Sequence, residues 1–497
     1  MWRGCVGCVT AILLLLCGCT HEENTQLDIF YTADVEGFYH SRPEPQFANQ
    51  VSGGYGVLKA FLAKQQGPYL LLDGGNWLGS TPEAAITQGD YVSKFMHDVP
   101  YTASSVSDKD FAFGWAALRG ILRQMPYPFI VSNLKLDDKI PWPLHDYQIV
   151  TQKGIKVGII GVVGPETIKN HKTRLPGLTL QDPLASASEM TALLQSKGVD
   201  LIVLLNSWAD DEKSTPSDVR LAEEVGDIHL ILSSNKDRET PETDKINKTY
   251  IVYPGSKLDS IAHIRVWFDR NKQIKNISFT DVPLLKDTWG EDEALAAESL
   301  RLQQETQRKL SARVSTSSQE LTTHLSEESM LGDLLADCLY KWSKLDGAIL
   351  NADSIRGSLP EGTITEYDLH KMYPYEDNIT FLTMRGSAFL KALEASLESK
   401  DNFPQIAGFT VSYKPLAPAG SKIKRVTLNN GRIVRPQDTY RFAVTDHVLA
   451  GGFGHDYFID SLEFKNTFVD ARQIMRACLI RQKNITLPKT GRWIVTQ

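Results

Sequence analysis

The chain has 497 residues, a formal net charge of −7 and a hydrophobic content of 42%. That length allows two or three domains with sizeable cores. The acidic balance excludes a general nucleic-acid binder, which needs surplus Lys and Arg to meet phosphate.

Residues 1–18 read as a lipoprotein signal peptide: Arg3 gives a basic start, and Val9 to Leu16 form an apolar run too short to span a bilayer as a mature helix. Leu16-Cys17-Gly18-Cys19 resembles a bacterial lipobox, with Cys19 as the lipidated residue and residues 19–26 as a polar tether. An ordinary cleaved signal is the alternative. Either way the mature protein is expected outside the cytoplasm, and under the first reading its partner is the lipid bilayer through Cys19, facing the periplasm or the cell surface. After cleavage Cys338 and Cys478 remain, as two buried thiols or as a bridge.

Residues 27–288 alternate strands and helices. Leu27 to Tyr31 is a strand running into Asp34, and Gly53 to Lys64 turns into a helix. Tyr69 to Leu72 is an apolar strand delivering Asp73, Gly74, Gly75 and Asn76 at its carboxyl end, where open α/β sheets place their sites. A helix crosses Asp90 to Met96, and Phe129 to Ser132 is a strand. Ile155 to Val163 is a buried strand; Asp182 and Pro183 open a helix as N-cap and first turn. Leu201 to Leu205, Ile228 to Leu232 and Ile261 to Phe268 are further strands, the last closing the domain. Residues 289–314 are rich in helix formers and read as a linker helix or as the last helix of the first domain. In residues 315–497, Glu328 to Asp337 starts an amphipathic helix. Ala348 to Asn351 is a strand followed by a polar turn to Arg356, and Gly451 to Gly454 is a glycine-rich loop.

These motifs, in their order and spacing, resemble the 5′-nucleotidase family along nearly the whole mature chain. The resemblance implies an N-terminal metallophosphatase-like αββα sandwich of two sheets, a linker helix and an α/β C-terminal domain that binds the nucleoside. In the family, a metal-activated hydroxide attacks phosphorus and a histidine steadies the transition state. Several stretches carry the likeness: Lys153 to Gly158 for the central strand, Glu328 to Asp337, and Asn351, Ile355 and Arg356 on an Asn-x-Gly-Gly-Ile-Arg pattern.

The metal motifs depart from the family residue by residue. Asp34-Val35-Glu36 stands for Asp-x-His. Asp73-Gly74-Gly75-Asn76 stands for Asp-x-Gly-Asp, so Asn76 replaces the bridging carboxylate. Asp108 and Lys109 replace the metal-binding Asn and the catalytic His. Asn206-Ser207 lacks the fourth motif's histidine, and Asn235-Lys236-Asp237 lacks both of the fifth's. Imidazole suits zinc and similar ions, and these motifs supply none. His40, His97, His145, His171, His229 and His263 lie elsewhere, as surface or structural residues.

Three readings follow for the metal positions Asp34, Glu36, Asp73, Asn76, Asp108 and Asp237. The site is lost and no cofactor is held; or it is rebuilt as an oxygen cluster for Mn²⁺, Mg²⁺ or Ca²⁺; or its carboxylates and lysines pair with each other. The first makes the protein a membrane-anchored, catalytically degenerate homologue that binds a nucleotide-like ligand or a protein partner. The second makes it a phosphohydrolase with Lys109 facing a bound phosphate. In the C-terminal pocket Asn351, Arg356, Phe403 and His447 match substrate-binding positions, with His447 at the second ring position and Phe453 in place of the loop Asp. The plainer alternative packs Phe403 in the core and pairs Arg356 with Asp353 or Asp377.

Overall fold

A computed structural model describes residues 25–79, 81–171, 174–208, 215–234, 241–375, 377–398, 403–449, 458 and 461–496. Cys19, Asp237 and Phe453, singled out above, lie outside the described residues.

Two sheets face each other in the N-terminal half. The seven-stranded one runs, in spatial order, Ile274–Pro283, Ser260–Phe268, Thr25–Thr32, Tyr69–Asp73, Ala103–Ser104, Phe129–Ile130 and Leu144–His145. The six-stranded one runs Glu242–Ile246, Thr249–Tyr253, Leu230–Ser233, Leu201–Ser207, Ile155–Val163 and Tyr147–Gln152. The central strands pair in parallel and read as unbroken apolar runs because both their faces are covered. Leu27, Ile29 and Tyr31 of one sheet meet Ile155, Val157, Ile159, Leu201 and Val203 of the other in a dry inner layer. Each such Leu or Ile contributes about 1.5–3 kcal/mol by leaving water. Helices cover the outer faces: Gly54–Ala63 and Asp90–His97 on the first sheet, Pro183–Ser196 and Ser217–Glu224 on the second. Asp182 caps Pro183–Ser196 by accepting the Ala185 N–H at 2.8 Å, as expected.

One expectation is corrected here. Ser260–Phe268 does not close this half; Ile274–Pro283 follows and pairs antiparallel with it. The helix Glu293–Lys309, open to either reading in the sequence, buries Leu295 and Leu302 in the N-terminal core.

Described strands from Arg313 onward form their own sheets. The larger has the order Pro404–Ala407, Gly347–Asn351, Thr439–Thr445, Asn378–Arg385, Glu463–Asp470. Helices Met330–Ser343 and Ala471–Gln482 pack beside it, and the Cys338–Cys478 disulfide joins them with a Cα–Cα distance of 5.6 Å. The thiols are thus bridged rather than free. Among the described residues no helix is long and apolar enough to cross a membrane.

Candidate functional site at the strand ends

Parallel register sets the site. Thr32, Asp73 and Ser104 end three neighbouring strands and lie side by side. Asp73 accepts from Thr32 Oγ1 at 2.8 Å, Ser104 Oγ at 3.0 Å and its own loop's Gly75 N–H at 2.9 Å. Burial pushes its carboxyl up to about 6 against those three donors. Asp73 therefore tethers three strand ends, and its carboxylate is turned onto them rather than toward a ligand.

Beyond it, two loops are zipped together. Asp34, Glu36 and Asn76 all take left-handed backbone angles, with φ of 51°, 53° and 56°. Such angles are uncommon outside glycine and gather at functional loops. Backbone bonds hold them: Asp34 N–H to the Gly75 carbonyl at 3.0 Å and Glu36 N–H to the Asn76 carbonyl at 2.8 Å. Gly79 permits the approach, since a Cβ there would meet the Glu36 carbonyl oxygen at 1.6 Å.

The side chains complete the lattice. Lys109 N–H donates to Asn76 Oδ1 at 3.1 Å, which turns the Asn76 amide nitrogen onto Asp34 Oδ1 at 2.7 Å. Lys109 Nζ lies 2.6 Å from Glu36 Oε1, with both side chains less than one-fifth exposed. Asp108 turns the other way, its Oδ1 3.2 Å from His171 Nε2. The helix Glu166–His171 thus brings a histidine to the third motif from a stretch that the sequence marks only as structural.

Asp110, two residues beyond Asp108, organises this corner without having been singled out. It is fully buried and accepts the N–H groups of Asn76 (2.8 Å), Leu78 (2.9 Å) and Ser107 (2.9 Å). Burial pushes its carboxyl up to about 8, with the three donors opposing. Its signal in the sequence is the Ser107–Asp110 spacing, which forms a capping box.

On the second sheet, Asn206 sits at a strand end paired with Ser233. Its amide nitrogen donates to Asp218 Oδ1 at 2.7 Å and to Ser217 Oγ at 3.2 Å. Serines occupy the neighbouring strand ends, and Ser207 Oγ reaches the Val106 carbonyl at 3.0 Å, tying the second sheet to the loop below the first.

A pair of divalent cations does not fit this donor set. An ammonium occupies Glu36, an amide takes up Asp34 Oδ1, Asp73 accepts three hydrogen bonds, and Asn206 presents its nitrogen to Asp218. Among the described residues no three His, Cys, Asp or Glu side chains gather in a metal-holding group. At Glu36 and Lys109 a carboxylate pairs with a lysine.

Of the C-terminal positions, Arg356 lies near enough to these loops for Glu36 to act on its charge. Arg356 Nη1 pairs with Asp353 Oδ1 at 2.9 Å and its Nε donates to Tyr375 Oη at 2.7 Å. Burial opposes the guanidinium's charge, while Tyr375, Asp353 and, from the other half, Glu36 favour it, and the net direction is upward. Asn351 is buried; its Oδ1 accepts from Ser354 at 2.6 Å and its Nδ2 has no partner among the described residues. Phe403 packs edge-on against Trp493, with ring centroids 4.9 Å apart, as a core residue. His447 lies on the short helix Asp446–Leu449.

Comparison with known proteins agrees with this architecture. Residues 304–460 match the family model described as 5′-nucleotidase, C-terminal domain. The chain is similar to a 5′-nucleotidase of Vibrio cholerae, 24% identical over 93% of both chains. In fold it is similar to a 5′-nucleotidase precursor from Thermus thermophilus, with a TM-score of 0.76 at 21% identity over 95% of this chain and 99% of that one. A putative 5′-nucleotidase from Staphylococcus aureus gives the same TM-score, 0.76, at 17% identity over 95% and 100% of the two chains. The chain thus shares the fold of these solved structures end to end, and its residues 304–460 form a 5′-nucleotidase C-terminal domain.

Proposed function

We propose that the protein is a catalytically degenerate 5′-nucleotidase homologue, anchored outside the cytoplasm through Cys19, that binds a nucleotide-like phosphate ligand without hydrolysing it. The observation that carries this reading is the Lys109 ammonium 2.6 Å from Glu36, beside an Asn76 amide bonded to Asp34. In the working family, dications supply a hydroxide of lowered pKa. Here an ammonium and an amide neutralise and cross-link the same loops, and neither activates water. Binding is supported by Arg356, a planar fork suited to phosphate, and by the unpartnered, buried Nδ2 of Asn351. Anchoring is supported by the lipobox-like end of the signal segment alone.

The test combines binding with turnover. AMP at about 100 times its Kd is expected to stabilise the protein by about 2.7 kcal/mol in a thermal melt. Arg356→Ala abolishes that shift, and neither AMP nor bis-p-nitrophenyl phosphate is hydrolysed with added Mn²⁺. Hydrolysis that Asp34→Asn abolishes would overturn the reading in favour of a remodelled phosphohydrolase.

A further inference from the structure

The two facing N-terminal sheets end in four edge strands, and three of these are guarded. Leu144–His145 is only two residues long. Glu242–Ile246 carries Glu242, Asp244 and Lys245, and Ile274–Pro283 carries Lys275, Asp281 and Pro283. Short length, charge and proline are the devices by which an edge avoids pairing with another chain. The fourth edge, Tyr147–Gln152, has none of them. It reads Tyr-Gln-Ile-Val-Thr-Gln over six residues, and its register with Ile155–Val163 runs without a bulge.

The adjoining turn fixes which main-chain groups face out. Lys153 and Gly154 take φ of 50° and 78°, the two-residue turn that closes Gln152 on Ile155 as a hydrogen-bonded pair. By alternation Gln152, Val150 and Gln148 turn their N–H and C=O groups onto Ile155–Val163, and Tyr147, Ile149 and Thr151 turn theirs out past the edge. Lys156, opposite Thr151, agrees with this phase: its groups point the other way, its N–H to Asp200 Oδ2 and its carbonyl to the Asp200 N–H, each at 2.8 Å. Tyr147 spends its N–H on Asp146 Oδ1 at 3.1 Å, so Ile149 and Thr151 carry the open part of the ladder. Of the side chains, Val150 leans on the layer between the sheets, while Tyr147 and Ile149 lean on the outer cluster.

The strand also reads alike from both ends. About Val150, the run Gln148-Ile149-Val150-Thr151-Gln152 is amide, β-branched, Val, β-branched, amide. A strand that meets an unrelated partner has no need of that symmetry; one that meets itself does. We propose that Tyr147–Gln152 is a homodimer interface, pairing antiparallel with the same strand of a second copy about a two-fold axis at Val150. Val150 then faces its own copy, Ile149 faces Thr151 and Gln148 faces Gln152, so β-branched and amide side chains match and no like charges are opposed. Moving the axis to Ile149 or Thr151 would set Val150 against a glutamine. Each Ile149–Thr151 pair exchanges two N–H···O bonds, and the layer between the sheets continues across the axis. One open edge is consumed in each copy, so the assembly closes as a dimer. The interface shares no residue with the zipped loops or the Arg356 cluster.

The test uses the full chain in sedimentation experiments up to about 100 μM, where a reversible dimer is expected. Thr151→Lys restores the charge that guards other edges, and Thr151→Pro removes an N–H that serves no bond to Ile155–Val163. Each is expected to weaken the dimer at least about tenfold with little change in the melting temperature. Position is read by cross-linking. Val150 and its copy form a non-hydrogen-bonded pair with Cα atoms about 4.5 Å apart, within disulfide reach. Under mild oxidation Val150→Cys is therefore expected to give a covalent dimer that neither the wild type nor Ile149→Cys gives. A wild type that stays monomeric at about 100 μM would overturn the proposal. So would a dimer that both Thr151 variants keep, or Ile149→Cys cross-linking as readily as Val150→Cys.

Discussion

Removing the ammonium from the zipped loops is the sharpest perturbation. Lys109→Ala deletes Nζ from its position 2.6 Å from Glu36 Oε1, where the two side chains are 18% and 17% exposed. Two unit charges about 4 Å apart interact by roughly 4 kcal/mol at an effective dielectric of 20. Breaking a buried pair costs about 3–5 kcal/mol, and partial exposure here reduces that to about 2 kcal/mol. For a cooperative unit the size of the N-terminal half, that corresponds to a fall in Tm of about 3 °C. The loss also removes the ammonium that neutralises Glu36, two residues from Asp34 on the same loop. A dication becomes the natural replacement, so millimolar Mn²⁺ is expected to restore part of the lost Tm in Lys109→Ala while leaving the wild type unmoved. Differential scanning fluorimetry with and without Mn²⁺ and EDTA reads both effects. A wild-type melt that shifts with Mn²⁺ or EDTA as much as the variant's would refute the reasoning, and so would a variant as stable as the wild type.

Asn76→Asp restores the family's carboxylate but places it against Asp34 Oδ1, now 2.7 Å from the amide nitrogen. Two facing carboxylates in a buried corner are expected to cost on the order of 3 kcal/mol, measured by urea denaturation. The Cys338–Cys478 bridge spans a sequence separation of 140 residues. In the chain-entropy view a loop of that size contributes about 5 kcal/mol, so dithiothreitol or Cys478→Ala should lower the melting temperature clearly. Between about pH 6.5 and 8 the urea midpoint is expected to fall. Asp110 and Asp333 are each pushed up to about 8 by burial, so the native state keeps protons there that the unfolded chain has released. Each contributes a slope of up to roughly 1.4 kcal/mol per pH unit. The lowered imidazoles His40 and His370 act with the opposite sign, but only below their unfolded pKa, which keeps them out of this window. Asp333→Asn should roughly halve the slope, and a flat or rising midpoint would contradict the assignment.

Much of the fold was legible because its signals are local. Leu201–Ser207 and Ile155–Val163 are continuous apolar runs, and a strand covered on both faces requires that pattern. The short helix Pro82–Thr87 passed unread although Thr81 caps it and Pro82 sits at its first position, both readable signals. Ile274–Pro283 escaped because its residues are only partly buried and its apolar alternation is weak. At the site, the motif positions Asp34, Glu36, Asn76 and Lys109 do converge. What each one bonds to depends on register and loop contact, which no single stretch encodes. Asp73 looked like a ligand because it ends an apolar strand; its neighbours Thr32 and Ser104 become visible only when the sheet is assembled. His171 and the Cys338–Cys478 pair belong to the same class, being brought to their partners by helices remote in sequence.

The central claim is that an ammonium and an amide hold together the loops at which the family resemblance expects a metal pair. Metal content answers it most directly: the purified protein is incubated with excess Mn²⁺ or Zn²⁺, desalted, and measured by elemental mass spectrometry. The account expects far less than one ion per chain from the wild type, and more from Lys109→Ala. A stoichiometric metal pair retained by the wild type would contradict it.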